Sequence, residues 1–363
     1  MRNLNGRKSA PTINDIADEA QVSKSTVSLV LKNSPKIKLK TAERVLLAAK
    51  KLGYVYNRSA ASLRQNSSNI IGLVFSDLQN PFFVELLIGA ERILPKSGFT
   101  TFMAHTNENL ATQNHVLNSM REHNVAGIIL CAALNTPNTV PSTIRSWGIP
   151  LVVAMRPLED AESDFVGPNN IEGMTMATHH LIERGHTRIA FIGRHASSYI
   201  VSNQRIQGYR NAMAAAHLPV NEDWIIDAGP SYDGGRQGLA KLNALTTRPT
   251  ATVCYNDAVA LGVLSELDFL GLRAGRDLAV VGFDGVAGTA HSSPPLTTIS
   301  IGPSHLGEVA SQLLLERIRT PEARTEPITY LSTPRLIIRQ SSSSTFFSEN
   351  DALLPTKMND IPL

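Results

Sequence analysis

The chain has 363 residues, of which 42% are hydrophobic and 18% are charged, and its net charge is +3. This length exceeds what one compact core usually holds, and the composition is globular, which excludes a disordered chain. No apolar run is long enough to cross a bilayer, and no apolar stretch follows the basic residues at the start, so we expect a cytoplasmic protein without a secretory signal.

The charge is unevenly divided along the chain. Residues 1–65 contain 13 Lys and Arg against 4 Asp and Glu, whereas the remainder contains 21 against 27. A basic segment ahead of an acidic body is typical of a phosphate-binding head. The alternative is a basic, solvated tail, which the helical pattern described next disfavours.

Three short helices are predicted in this basic segment. Thr12 is a suitable N-cap for the first, and Ser23 caps a second over 24–31 that turns small polar and basic residues outward. The third is predicted from Thr41 to Leu52, with Leu46 in its core face, and Gly53 ends it. Two short helices joined by a tight turn indicate a helix-turn-helix whose second helix fits the major groove of DNA.

The motif Val22-Ser23-Lys24-Ser25-Thr26-Val27-Ser28, with Gly53-Tyr54 and residues 57–63 behind it, resembles the lac-repressor (LacI/GalR) family of transcription regulators. The resemblance extends to about Arg339. It implies a sequence-specific repressor that binds a palindromic operator as a homodimer under the control of a small-molecule, sugar-like effector. A tail with Leu353 and Leu354 but no sustained heptads favours a dimer over a tetramer.

The resemblance also assigns DNA contacts. The outward residues at the start of the second helix read bases in the family, and Leu29 departs from the polar residue often found there, although it can touch a thymine methyl. Leu63 matches a leucine that wedges into the minor groove, and the alternative is a plain linker. The predicted DNA-binding residues are Thr12, Ser23, Lys24, Ser25, Thr26, Ser28, Leu29, Asn57, Ala60, Leu63 and Arg64.

From residue 69 onward, strands alternate with helices. Strands are predicted at 70–75, 100–104, 127–131 and 151–154, with helices at 82–94 and 111–123. The alternation resumes with helices at 173–184, 204–217 and 258–269 and strands at 188–193, 252–255 and 278–283. This pattern favours parallel sheets covered by helices.

The predicted architecture is therefore an all-α helix-turn-helix head and an α/β body. The body resembles the type I periplasmic-binding-protein fold, with two parallel-sheet lobes and three chain crossings near Gly167, Pro294-Pro295 and Leu331. We expect a head at 1–56, a hinge at 57–67, an effector-binding body at 68–340 and a flexible tail at 341–363.

Ligands of this fold lie at the carboxyl ends of the strands, between the lobes. Matching positions that suit a polar ligand are Phe82, Arg205, Asn256 and Asp284, for which the alternatives are a core ring, an Arg205–Asp284 ion pair and a helix cap. Weaker candidates are Asn169 and Arg156. The latter either meets an acidic ligand or pairs with a carboxylate such as Glu159 or Asp160.

Other classes of protein are weakly supported. The chain has no G-x-G-x-x-G after a strand, no P-loop and no G-x-S-x-G, so we expect no enzyme, no cofactor and no metal. Cys131 and Cys254 are either a redox pair or two small buried residues on separate strands. The main alternative function is a sugar-binding protein, exported or cytoplasmic, without a role on DNA. Within the family, segments 25–31, 53–58 and 253–256 resemble the maltose-regulon repressor branch.

Overall fold

The computed structural model describes residues 11–31, 34–54, 68–158, 163–194, 199–320 and 326–343. The chain divides into two compact units, Met1–Ser68 and Asn69–Leu363. Within the described ranges, none of the helices combines the length and the apolar character needed to span a membrane.

The described residues of the first unit form three helices, α1 (Ile13–Glu19), α2 (Lys24–Leu31) and α3 (Leu39–Leu52). Thr12 caps α1 as predicted: its hydroxyl accepts from the Asp15 backbone N–H, and the Asp15 carboxylate accepts from the Thr12 backbone. Gly53 ends α3 with a left-handed φ of 67°. The helices are too short to be stable alone, and they share one apolar cluster that includes Ile16, Val27 and Val45.

Two details of α3 differ from the prediction. The helix begins at Leu39 after an extended Lys38, so Thr41 lies inside the helix and does not cap it. The Leu46 side chain is 51% exposed because Val45, Ala48 and Ala49 form the buried face. The prediction of Leu46 as a core residue was therefore wrong.

The second unit alternates strands and helices along the chain. Its strands are β1 (Ile70–Phe75), β2 (Thr100–His105), β3 (Gly127–Cys131), β4 (Leu151–Ala154), β5 (Asp164–Pro168), β6 (Ile189–Arg194), β7 (Ile225–Asp227), β8 (Ala251–Cys254), β9 (Ala279–Asp284), β10 (Thr297–Ser300), β11 (Thr329–Ser332) and β12 (Arg335–Ile337). Its helices are α4 (Pro81–Ile93), α5 (Leu110–Glu122), α6 (Val140–Ser146), α7 (Asn170–Glu183), α8 (Ile200–Ala215), α9 (Tyr232–Asn243), α10 (Asp257–Phe269) and α11 (Pro303–Arg319).

The strands form two six-stranded sheets, one in each lobe. Lobe 1 has the order β11-β5-β4-β3-β1-β2, and lobe 2 has the order β12-β10-β9-β8-β6-β7. All neighbours pair in parallel except β10 and β12. The central strands are buried on both faces, which explains why they read as continuous apolar runs such as Ile70–Phe75. The predicted two-lobe α/β body is confirmed.

The chain passes between the lobes three times, between β5 and α7, between β10 and α11, and between β11 and β12. The first and third crossings lie near the predicted Gly167 and Leu331. The second lies at 301–302, so its predicted place at Pro294-Pro295 was wrong. These prolines interrupt the chain inside lobe 2, where β10 still has to pair with β9 before the chain leaves.

Two glycines allow α4 and α11 of lobe 1 to pack closely. A Cβ on Gly89 would lie 1.8 Å from the Ser304 backbone oxygen, and one on Gly307 would lie 2.0 Å from the Leu86 oxygen. Any larger residue at either position would force the helices apart. This contact fixes α4, whose first turn lies beside the cleft described below.

The serines at 341 and 342 are part of lobe 2. Both are fully buried in a 3-10 turn, Gln340–Ser342. The Ser341 hydroxyl donates to the Val280 oxygen at 2.6 Å and accepts from the Thr297 N–H at 2.8 Å. The expectation of a flexible tail from Ser341 onward was therefore wrong for these residues. A run of serines suggested solvent, whereas here the hydroxyls pair with strand backbone groups.

Candidate DNA interface and effector cleft

The outer face of α2 carries the predicted base-reading residues. Ser23 caps the helix, because its hydroxyl accepts from the Thr26 backbone N–H at 3.1 Å and lies 2.8 Å from the Ser25 hydroxyl. Lys24 and Ser25 are exposed on the first turn, and Leu29 is 37% exposed one turn later. These three side chains form a surface that is free to meet a nucleic acid, with a cation at the helix start.

The other predicted DNA contacts differ in accessibility. Thr12 is exposed and Thr26 is partly buried, and their hydroxyls hold the starts of α1 and α2. Ser28 is half-buried on the flank of α2. The hinge predictions, Asn57, Ala60, Leu63 and Arg64, lie outside the described residues and stay predictions.

A cleft lies between the lobes, at the carboxyl ends of the central strands of both sheets. Five of the six predicted effector residues line it: Phe82, Arg156, Arg205, Asn256 and Asp284. They come from five separate segments of the chain, and the parallel sheets bring them together because equivalent strand ends share one edge.

Arg205, on the first turns of α8, is 3% exposed and held entirely by lobe 2. Its Nε donates to the Asn170 amide oxygen at 2.9 Å, and its Nη1 donates to the Tyr255 backbone oxygen. Its guanidinium carbon lies 3.9 Å from the Phe283 ring centroid, and Nη2 lies 3.5 Å from the Asp284 carboxylate. The Arg205–Asp284 ion pair considered as an alternative therefore exists in the wall of the cleft. The pair is compatible with contacts from both residues to a ligand.

Asp284 ends β9 in a backbone conformation that favours glycine, with a φ of 121°. The turn is fixed by Asp257, whose carboxylate accepts from the N–H groups of Gly285 at 2.7 Å and Val286 at 2.9 Å. Burial raises the pKa of Asp284 to about 6 against the opposing effect of Arg205. Burial, and then the charge of Asp284, also raise the pKa of Asp257.

Arg156 lies opposite, on lobe 1, after a left-handed Met155 with a φ of 68°. Its partner is Glu108, at 2.9 and 3.1 Å, and it also donates to the Ala132 oxygen. Across the cleft it donates to the Tyr199 hydroxyl at 2.6 Å and lies 4.6 Å from that ring's centroid. Burial opposes its charge, but Tyr199 and Glu108 outweigh burial and raise the pKa of Arg156.

Asn256 and Phe82 serve the structure as well as the cleft. The Asn256 amide oxygen accepts from the Val259 N–H at 2.9 Å, which caps α10, and its Nδ2 donates to the Pro230 oxygen. The Phe82 ring is buried and meets Phe83 edge-on. Both alternatives foreseen for these residues, a helix cap and a core ring, are therefore present at the cleft wall.

Asn169 does not line the cleft. Its side chain caps α7, accepting from the Glu172 N–H at 3.3 Å and donating to the Glu172 carboxylate at 2.7 Å. It lines a separate pocket at the lobe crossings, together with Gln204 and Leu331. The expectation that Asn169 meets the effector in the cleft was wrong, because the crossing after β5 turns this residue to another face.

Direct contacts join the lobes beside the cleft. Asn80, the N-cap of α4, donates to the Asp284 carboxylate at 3.3 Å. The Ala287 N–H donates to the Glu85 carboxylate at 2.7 Å. With the Arg156–Tyr199 contact, these bonds join lobe 1 directly to lobe 2.

Four residues that line the cleft or hold its turns were not predicted from the sequence: Asn80, Glu108, Tyr199 and Asp257. Asn80 and Asp257 carried a usable signal, since one is a cap before Pro81 and the other directly follows the predicted Asn256. Glu108 and Tyr199 carried none, because each lies in an irregular segment whose path depends on the fold.

The two cysteines are buried on strands of different sheets, Cys131 on β3 and Cys254 on β8, and both are free. Burial raises the pKa of the Cys131 thiol to about 12 and also raises that of Cys254. Their placement matches the interpretation as small core residues.

Comparison with known proteins agrees with both units. Residues 12–57 match bacterial regulatory proteins of the lacI family, and residues 178–342 match the periplasmic binding protein-like domain. The chain is 34% identical over 330 residues to the HTH-type transcriptional repressor PurR of Vibrio parahaemolyticus, covering 91% of this chain and 98% of the relative. The PurR of Actinobacillus pleuropneumoniae is likewise 34% identical over 331 residues, with the same coverage.

Solved structures share the fold. A complex of the transcriptional regulator CelR with cellobiose has a TM-score of 0.69 and 29% identity, covering 91% of this chain and 99% of that one. A lac repressor dimer bound to operator and the anti-inducer ONPF has a TM-score of 0.80 at 22% identity, covering 92% and 99%. These relatives are transcriptional regulators. The chain therefore belongs to the lacI family of bacterial regulatory proteins and is a DNA-binding transcription regulator of that type.

Proposed function

We propose that this regulator binds a palindromic operator as a homodimer and that a sugar-like effector, held in the cleft between the lobes, changes its affinity for the operator. The head would comprise residues 1–56, the hinge 57–67 and the body the residues from 68 through the buried Ser342. The observation that carries the proposal is the convergence of Arg205, Asn256 and Asp284 on a cleft at the lobe boundary. A ligand there contacts both lobes and so favours one of their relative orientations.

The chemistry of the cleft supports a hydroxyl-rich ligand. Its wall offers carboxylate and amide acceptors, amide donors and the faces of Tyr199 and Phe83, which together suit a sugar ring. The similar CelR was solved with cellobiose, which is a sugar of this kind. The maltose-branch resemblance stays a prediction.

Exposed apolar side chains on lobe 1 support the dimer. Val84 and Ile88 lie one turn apart on α4, and Phe102 and Met103 lie on the edge strand β2; all four are about half exposed. An edge strand with apolar side chains needs cover, and a second copy of the chain supplies it symmetrically. The lac repressor, which shares this fold, was solved as a dimer on its operator.

Sedimentation of Ile88→Glu against Phe269→Glu tests the dimer. Phe269 is 69% exposed on α10 of lobe 2, so it is a matched apolar-to-acid control away from the proposed interface. We expect the first variant to sediment as a monomer and the second as a dimer. Dimerisation of both variants would place the interface elsewhere.

Operator binding is tested by selection from random duplexes and by mobility shift. We expect a two-fold symmetric site and a steep loss of affinity with salt, because the basic head displaces counterions. Lys24→Ala and Ser25→Ala should alter base preference, whereas Lys50→Ala, an exposed cation at the far end of α3, should weaken all duplexes alike. An asymmetric selected site, or unaltered preference in both α2 variants, contradicts the proposal.

Effector binding is tested with Arg205→Lys. This variant keeps a cation beside Asp284 but loses the planar set of N–H donors of the guanidinium group. Mobility shifts with a panel of sugars, cellobiose and maltose included, identify an effector of the wild type. We expect the variant to bind operator normally and to need a higher concentration of that effector. An unchanged response would show that the effector binds outside this cleft.

A further inference from the structure

The charge of the cleft is balanced by a residue that the sequence did not single out. The charged side chains that line it, among the residues the structure describes, are two guanidiniums, Arg156 and Arg205, and three carboxylates, Asp77, Glu108 and Asp284. Each guanidinium is paired with a carboxylate inside the cleft. An anionic ligand would therefore meet a site with no uncompensated cation.

Four of the five donors of Arg156 are already occupied. A guanidinium has five N–H groups. Two meet Glu108, one meets the Ala132 backbone oxygen and one meets the Tyr199 hydroxyl. The remaining Nε is buried and has no acceptor among the described residues. Arg156 consequently has no exposed donor left for the oxygens of a phosphate or carboxylate ligand.

Glu108 is itself held in place. Its Oε2 accepts from the Leu134 backbone N–H at 2.6 Å, and its backbone is left-handed with a φ of 54°, next to an equally left-handed Asn107 at 51°. The side chain is 28% exposed, so water also reaches the carboxylate. The carboxylate is therefore fixed against Arg156 before any ligand arrives.

We infer that Glu108 is a specificity-determining residue: by occupying Arg156 it restricts the cleft to uncharged, hydroxyl-rich ligands and rejects their phosphate esters and other anions. Glu108 discriminates between ligands by their charge, whereas Arg205, Asn256 and Asp284 form hydrogen bonds with the hydroxyls of the ligand. This inference rests on the proposed function, because it takes the cleft to be the effector site.

The test uses the full chain and inorganic phosphate as the probe, with potassium chloride at equal ionic strength as the reference. Thermal unfolding and calorimetric titration are measured for wild type and Glu108→Gln, which keeps the shape of the side chain and removes its charge. We expect no phosphate-specific rise in Tm for the wild type. Glu108→Gln should bind phosphate at least about tenfold more tightly, because the guanidinium of Arg156 becomes available for charged hydrogen bonds to the ligand.

Two further variants locate the effect. Glu122→Gln makes the same charge change on an exposed residue at the end of α5 and should bind phosphate no better than wild type. Glu108→Gln combined with Arg156→Met should lose the gained binding. The inference is overturned if the wild type binds phosphate as tightly as Glu108→Gln does. It is also overturned if Glu108→Gln folds but binds phosphate no more tightly than the wild type.

A second measurement does not depend on the variant folding. Titration of wild type with glucose and glucose 6-phosphate, and with ribose and ribose 5-phosphate, should never show the ester binding more tightly than its parent sugar. A tighter ester overturns the inference. Failure of the proposed function appears elsewhere, as an effector response unchanged in Arg205→Lys, so the two failures are distinguishable.

Discussion

Arg205 and Arg156 face each other across the cleft with the same kinds of partner, a carboxylate, a backbone oxygen and an aromatic face. They differ in where those partners lie. The bonds of Arg205 to Asn170, Tyr255 and Asp284 all stay within lobe 2, whereas Arg156 is held by Glu108 of lobe 1 and Tyr199 of lobe 2. The first guanidinium is thus part of one rigid wall, and the second is a bridge between two walls.

This difference separates two duties that the same residue type can perform. A cation buried among fixed partners supports the fold and presents a preorganised edge to a ligand. A cation that contacts both lobes stabilises the closed cleft, because any opening of the cleft breaks its bond to Tyr199. Variants of each arginine should therefore fail in different ways.

The largest effect is expected for Arg205→Ala. Removing this guanidinium leaves the Asp284 carboxylate buried without its partner, which should lower the free energy of unfolding by about 3–5 kcal/mol. Urea denaturation followed by circular dichroism measures it. A loss below about 1 kcal/mol would show that Asp284 relaxes to solvent and that the wall is not rigid.

Arg156→Ala should cost less, about 1–2 kcal/mol, because water reaches the Glu108 side chain and compensates for the lost pair. The same denaturation measures it. The variant should also make the two lobes separate more readily, seen as a larger radius of gyration by X-ray scattering than for Arg205→Lys. Equal radii for the two variants would contradict the bridging role.

Tyr199→Phe sharpens the comparison, since it removes the bond of 2.6 Å to Arg156 and keeps the ring beneath the guanidinium. We expect a loss of about 1 kcal/mol, the usual worth of one such bond. Tyr209→Phe is the control within lobe 2, where the hydroxyl donates to the Ile189 oxygen. Only the Tyr199 variant should change the X-ray scattering of the effector-free protein.

The smallest effect concerns pH. The pKa of Asp284 is about 6 in the folded body, above its ordinary value, so the folded state binds this proton more tightly than the unfolded state. Its contribution to stability is complete below about pH 4 and is lost as the pH rises through 6. Between pH 5.5 and 7.5, the free energy of unfolding of wild type relative to that of Asp284→Asn should fall by about 1 kcal/mol. A difference that rises with pH would mean that Arg205 dominates over burial.

Much of the fold was predictable because its strands are buried on both faces. Continuous apolar runs such as Gly127–Cys131 and Leu151–Ala154 carry their own signal, and their predicted bounds agree with the structure. Elements that carry a mixed pattern were not predicted, among them β5, β7, α9 and α11. In α9, three glycines interrupt the helical pattern, and each faces a close neighbour that the sequence does not reveal.

The cleft was predicted to the extent that family positions and strand ends coincide. Arg205, Asn256 and Asp284 follow or face strand ends, and the structure brings them together. Arg156 was found, but its partner was sought among neighbours in sequence, Glu159 and Asp160, which lie outside the described residues. The partner is Glu108, 48 residues earlier, because β2 and β4 end at the same edge of one sheet. Spacing along the chain carries no information about such a pair.

The third crossing has a consequence for how the protein is made. After it leaves α11, the chain adds β11 to the edge of lobe 1 and then β12 to the edge of lobe 2. Ser341 then forms hydrogen bonds with β9 and β10, and Ser342 forms one with β10. Neither sheet is complete until these last strands emerge from the ribosome. A nonsense mutation before residue 329 would thus remove the edge strand β11 from lobe 1 and the edge strand β12 from lobe 2. Neither lobe of such a truncated chain would have a complete sheet.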